Sequence, residues 1–185
     1  MAIPESKRAD ARRNREKLLG AATELFAASG KDVSLDAVAK RAGVGIGTLY
    51  RHFPTRDALV EAAYRNEVAH LCEAAAELLS DQAAEVALAE WMNRFVSYST
   101  AKKGMRDALQ SVVAGGSDLF ADTRGQIVGA ITLLLAAGVE AGTLRSDVDA
   151  EDVMRAMGAV WLVDEEEQAR RLLRLLMDGL RHGTG

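Results

Sequence analysis

Apolar residues recur along this chain with a helical period almost throughout, and the breaks in that period are the informative places. Leu18, Ala22, Leu25 and Phe26 share one stripe, which predicts a helix from about Asp10 to a stop at Gly30. Ser34 is a good N-cap, and Leu35, Val38 and Ala39 follow at i, i+3 and i+4, so 34–41 is expected to be a short amphipathic helix. Ala42, Gly43 and Val44 interrupt it, and Gly43 can take the left-handed conformation that a sharp turn between two helices needs. A second short helix is expected near 45–52. Val44, Leu49 and Phe53 turn back to the first, leaving Ile46, Gly47, Thr48, Tyr50, Arg51 and His52 outside.

Pro54 ends that helix, and Thr55 caps the next, which is expected to run from Arg56 to about Leu79 with Leu59, Ala63, Val68, Leu71 and Ala75 as its apolar side. Further helices are predicted over 82–103, stopping at Gly104; over 105–113, ending at Gly115 and Gly116; and from Ser117 or Asp118 to Gly142. Asp149 caps another with Val153, Met157, Val160 and Trp161, and Asp164 with Glu167 resembles a capping box for a last helix reaching about His182. The fold class is therefore all-α: a three-helix head with a helix-turn-helix over 1–55 and a helical-bundle body over 56–185. No linker rich in Gly, Pro or Ser separates the two.

A helix-turn-helix lays its second helix in the DNA major groove, with that helix's first residues against base edges. Gly45 and Gly47 are poor helix formers, so something other than helix stability favours them, and close backbone approach to DNA would do so. Ile46, Gly47 and Thr48 are the candidates for base-edge contact; Ser34, Tyr50, Arg51, His52 and Arg56 are the candidates for phosphate. Arg56 begins its helix, where a cation opposes the macrodipole and a nearby phosphate would relieve the conflict.

Charge adds to this picture. The net charge of -4 argues against nucleic acid only if it is spread evenly. Up to Asp57 there are eleven Lys and Arg against seven Asp and Glu, so a basic head precedes an acidic body. Met1 to Ala9 is short and polar and reads as a disordered basic arm with Lys7 and Arg8. Arg12 and Arg13 add to its charge, and it either touches phosphates or a minor groove or serves as a solubilising tail.

The run Gly43-Val44-Gly45-Ile46-Gly47-Thr48-Leu49-Tyr50-Arg51-His52-Phe53-Pro54-Thr55-Arg56-Asp57-Ala58-Leu59 resembles the recognition segment of the tetracycline-repressor (TetR) family of bacterial regulators. Upstream, Arg15 to Leu19 with Ala21, Ala22, Glu24, Leu25, Phe26 and Gly30 is similar to that family's first helix, while Lys31 stands where the family often has an aromatic. The resemblance covers about the first third of the chain. It implies a repressor released from DNA by a small molecule bound in the body, and a DNA-backbone contact at Arg56.

Trp91, Met92, Phe95, Tyr98, Met105, Phe120, Met154 and Trp161 are candidates for a pocket lining, although such residues are more often simple core. Arg106, Asp107 and Glu140 are possible polar partners there. Leu172, Leu173, Leu176 and Leu180 make a continuous stripe on the last helix, Leu175 and Leu162 extend it sideways into a face broader than one neighbour can cover, and Met157, Val160 and Trp161 precede it. These predict a homodimer interface and hence a palindromic double-stranded operator, since one recognition helix reads too few base pairs to stand out in a genome.

Other chemistry is weighed down. Tyr50 stands where a phosphate-binding glycine loop needs its third glycine. Glu67 and His70 form half of a di-iron motif with no second copy, so no metal or cofactor is expected, and no nucleophilic set argues for an enzyme. A helical enzyme or small-molecule binder whose basic head serves another partner is the alternative. The lone Cys72 forms no internal disulfide, and no apolar run is expected to span a membrane, the longest, around 131–139, being broken at Gly138; a cytoplasmic protein follows.

Overall fold

A computed structural model describes residues 5–29 and 32–181. Expectations that rest on Met1 to Pro4, Gly30, Lys31 and His182 fall outside them. Among the described residues the chain is helical, with no strand. The helices are α1 (Glu5–Ser29), α2 (Leu35–Ala42), α3 (Ile46–His52), α4 (Arg56–Asp81), α5 (Ala84–Gly104), α6 (Arg106–Ala114), α7 (Leu119–Glu140), α8 (Ala150–Met157) and α9 (Glu166–Leu180). A 3-10 turn, Gly158–Leu162, joins the last two.

Four features depart from expectation. α1 starts at Glu5 instead of near Asp10, so the second half of the expected arm is helix. Arg12 pairs with Glu16 at 3.6 Å and Arg13 with Asp10, the i,i+4 and i,i+3 charge spacings that support an exposed helix. Residues after Met157 tighten into the 3-10 turn. The N-cap of α9 is Glu165 and not Asp164, and Glu165 makes no side-chain cap bond. Finally, Gly138 does not limit the apolar run: α7 passes through it as a helix, and Leu144 packs where a Cβ on it would lie. α7 is thereby long and apolar enough to cross a membrane by length and composition alone, a test that core helices of soluble proteins also pass.

The contacts divide the chain into two compact units, 1–66 with 101–119 and 67–100 with 120–185. In the first, α1 packs on α2 and α3. Its core holds Leu18, Ala22, Phe26, Val38, Leu49, Phe53 and Leu59, each at most 3% exposed. Burying one such side chain is worth about 1.5–3 kcal/mol. The segment 101–119 joins this unit through several contacts. The Gly104 backbone lies against that of Ala27 so closely that a Cβ would overlap the Ala27 carbonyl. The Lys102 ammonium sits 5.3 Å over the Tyr64 ring, the Ser111 hydroxyl reaches Asp57 at 3.5 Å, and the Ser117 hydroxyl reaches Glu61 at 3.4 Å.

In the second unit, the Trp91 indole donates to the Leu71 carbonyl at 2.7 Å, and Phe95 lies between the Trp91 and Tyr98 rings. The end of α9 is tied down by a bridge between Leu144 and Arg181, with the Arg145 N–H donating to the Leu180 carbonyl at 3.0 Å. Cys72 is half-buried, and its surroundings push the thiol up to about 11, mainly through desolvation and then through Glu73.

Candidate nucleic-acid interface

The interface is built from local rules. The Ser34 hydroxyl accepts from the Ala37 N–H at 3.1 Å and opens α2. α2 ends in a Schellman turn: Gly43 sits at φ 68, its N–H bonds to the Lys40 carbonyl at 3.2 Å, and the Val44 N–H bonds to the Ala39 carbonyl at 3.0 Å. That turn re-aims the chain so that α3 begins at once, with Gly45 as its N-cap and no side-chain cap. Leu49 and Phe53 anchor α3 to the unit, whereas Val44 is only half-buried. The Thr55 hydroxyl then accepts from the Ala58 N–H at 3.1 Å and opens α4.

The outward side of α3 holds Ile46 at 38% and Tyr50 at 51% exposure, with Gly47 and Arg51 also exposed. Thr48 and His52 are half-buried. Among the described residues, nothing beyond the chain neighbours and the helix's own backbone comes within 4 Å of a Cβ built on Gly45 or Gly47, and neither has a left-handed φ. Their lack of a side chain therefore answers no demand of this fold. Ser34 is exposed beside this helix pair in sequence, and its O–H proton remains available after it has capped α2.

Two cations are held by aromatic rings. The Arg56 guanidinium lies 4.7 Å over the buried Phe26 ring, and that of Arg15 lies 5.3 Å over Phe53. Arg41 donates twice to Glu24, at 2.9 and 2.6 Å, and clips α2 to α1. Sequence reasoning named Arg56 but missed all three contacts, which join residues far apart in the chain and leave no local signal.

The residues expected to line a pocket differ widely in exposure. Trp91, Phe95 and Met105 are at most 1% exposed and Tyr98 6%, which makes them core. Phe120 is 40% exposed, and Met154 and Trp161 are half-buried. The second unit has a cleft of about 280 Å³ between α5 and α9, which Met92 lines, and another of about 560 Å³ beside α7 and 145–150, which Glu140 lines. The residues expected between two copies are also divided. Met157, Val160, Leu173 and Leu180, at 3% exposure or less, have no surface left for a partner; Trp161, Leu172 and Leu176 are half-buried. Leu162 at 87% and Leu175 at 69%, which extend the stripe sideways, carry most of the exposed apolar area there.

Residues 18–63 match the profile "Bacterial regulatory proteins, tetR family", and residues 83–182 match "Transcriptional regulator SbtR-like, C-terminal domain". The fold is similar to that of the TetR transcriptional regulator SCO0520 from Streptomyces coelicolor, with 47% identity, a TM-score of 0.86, and coverage of 92% of this chain and 99% of that one. It is similar also to a TetR transcription regulatory protein from Mycobacterium vanbaalenii, at 36% identity and TM-score 0.78, covering 95% and 99%. An HTH-type transcriptional regulator of Staphylococcus aureus is 42% identical over 53 residues, so the match spans 28% of this chain and 29% of that protein.

Proposed function

Because the chain belongs to the TetR family of bacterial transcription regulators, we propose that it binds double-stranded DNA sequence-specifically through α3 and acts as a homodimeric repressor. The observation that carries this reading is the outward side of α3. Two glycines that the fold does not require lie there, beside exposed Ile46, Tyr50 and Arg51. A surface kept this bare lets the helix backbone reach a groove floor, where Ile46 and Thr48 can meet thymine methyls and base edges. Ser34, Tyr50, Arg51, His52 and Arg56 contribute phosphate contacts that fix the register. The basic excess up to Asp57 steers this end toward DNA, and the acidic remainder keeps the rest away.

A second copy covers Leu162 and Leu175 together with the half-buried Trp161, Leu172 and Leu176, on elements that pack on one another. The symmetry of such a pair makes the operator an inverted repeat. The relatives are regulators and not enzymes, and the protein works in the cytoplasm, where its DNA is. A small molecule that binds the DNA-incompetent arrangement more tightly than the competent one releases the operator.

The test is selection of bound sequences from a random duplex pool with ligand-free protein near physiological salt. An enriched inverted repeat is expected. A pool that stays random after repeated rounds, with protein that has been denatured and refolded to strip any bound ligand, overturns the assignment.

A further inference from the structure

The side of α1 that faces its core changes character along the helix. Leu19, Ala22 and Phe26 are at most 1% exposed. Arg8, Arg12 and Arg15 continue the same line toward the N-terminus, and at 3.6 residues per turn all six positions fall within about 80° of one another. The three arginines are exposed. The inward side of α1 thus runs on for about 10 Å beyond the packed part of its unit, and there it turns from apolar to cationic. Phe53, which ends α3, marks the point of passage: the Arg15 guanidinium lies 5.3 Å over its ring, and the last turn of α3 brings Arg51 and His52 to the same end. The opposite side of α1 is different. Asp10, Arg13 and Lys17 share it by spacing, and Arg13 is paired with Asp10. On the inward side Arg8 has no partner among the described residues. Arg12 meets Glu16 only at 3.6 Å, with the two side chains 79% and 63% exposed, a contact that another anion can replace at little cost.

We propose that Arg8 and Arg12 grip DNA phosphates flanking the groove that α3 occupies, so that the first turns of α1 are a second, sequence-blind contact, with Arg15 as the anchor that sets their position. This contact rests on the assignment of α3 to a DNA groove. Charges kept only for solubility have no reason to collect on the side of a helix that its own core occupies further along. Guanidinium forks match phosphate oxygens, and such contacts fix orientation without reading sequence. Insertion into the minor groove is disfavoured by size. The chain is already helical at Glu5, and an α-helix with its side chains is about 10–12 Å across, whereas the minor groove is about 6 Å wide. A helix also presents the two arginines with their backbone already ordered, which lowers the entropic cost that a disordered arm meets on binding.

The experiment is titration of the full chain with its selected operator and with random duplex over a range of salt, beside thermal melting. R8Q/R12Q is compared with R13Q/K17Q, which removes the same charge from the opposite side of α1. R8Q/R12Q should weaken operator and random duplex alike, by about tenfold or more, and flatten the salt dependence by about two phosphate contacts per copy. R8K/R12K, which keeps the charge, should retain most of the salt dependence, and R13Q/K17Q should change it by less than half as much as R8Q/R12Q. All three should melt with the wild type, because the altered side chains are exposed. An unchanged salt slope in R8Q/R12Q, or equal slopes in the two glutamine variants, would overturn the contact, the second by reducing the effect to net charge. A repeated selection in which R8Q/R12Q alters base preference at the operator flanks would overturn it in favour of minor-groove reading. Failure of the α3 assignment shows itself separately, in wild-type protein that enriches no sequence.

Discussion

Replacing Gly47 by alanine separates what the fold needs from what a partner needs. Gly47 lies in the first turn of α3, its φ is not left-handed, and an added Cβ has no neighbour within 4 Å. The methyl group therefore meets no clash and fills no cavity, and the change acts on the backbone alone. Alanine is favoured over glycine inside a helix by about 0.8–1 kcal/mol, and a first-turn position realises about half to all of that. For a chain of this size such a gain raises Tm by about 1–4 °C. If α3 lies in a major groove, the same methyl projects from a bare exposed surface into the partner, and affinity for the selected operator falls by about tenfold or more.

The assay is thermal melting beside operator titration at fixed salt, with Gly20→Ala as the control. Gly20 is also a helical glycine in open space in the same compact unit, but on α1. Both variants should gain stability, and only Gly47→Ala should lose operator binding. A Gly47→Ala protein that is more stable and binds the operator as tightly as the wild type would refute the placement of α3 against DNA.

Arg56→Ala is expected to weaken specific and random duplexes alike and to flatten the salt dependence of binding by about one phosphate contact; it also costs about 0.5–1 kcal/mol in melting because its stacking on Phe26 is lost. Thr48→Ala should instead change the preference at a base position with an unaltered salt slope, read from a repeated selection. Gly104→Ala should destabilise by about 1–3 kcal/mol in denaturant unfolding, because its Cβ falls on the Ala27 backbone, which cannot swing aside as a side chain can. Leu175→Glu should leave monomeric protein in sedimentation at micromolar concentration, since it places charge in the middle of the face assigned to the second copy. Cys72, with its thiol pushed up to about 11 from 9.0, should alkylate at pH 8 about a hundredfold more slowly than a free cysteine, because so little thiolate is present below the raised value.

The parts of this protein legible in its sequence are those that local chemistry decides. The Ser34 and Thr55 caps, the left-handed Gly43 turn and the exposed Ile46, Gly47, Tyr50 and Arg51 of α3 all follow from residues within a few positions of one another, and each lies where the sequence places it. The start of α1 is a local matter too, yet it was missed. Residues 5–9 are mostly polar and carry no apolar stripe, so the period that marks the helix begins only near Asp10 although the helix itself begins at Glu5. Arg41 with Glu24, Gly104 with Ala27 and Arg181 with Glu85 are closed by the fold over long separations. Nothing near either partner announces them.

α9 shows where periodicity itself runs out. Apolar residues at 169, 172, 173, 176 and 180 form one stripe by spacing, and the sequence reading assigned its leucines to a second copy. In the fold the buried line is Ala169, Leu173, Met177 and Leu180, while Leu172, Leu175 and Leu176 lie farther round the helix with more of their surface open. The two lines are separated by a rotation that a broad stripe cannot resolve, because residues one or three positions apart blur together across it. A helix apolar on more than one side needs more than one neighbour, and that much the sequence does carry. Which line faces inward is set by where Met92 and the α5 wall happen to lie, a fact of tertiary packing. The same rotation lines Arg170, Arg174 and Arg181 along a cleft beside α5, so the division of the leucines and the existence of an arginine-walled cleft are one consequence of how α9 is turned.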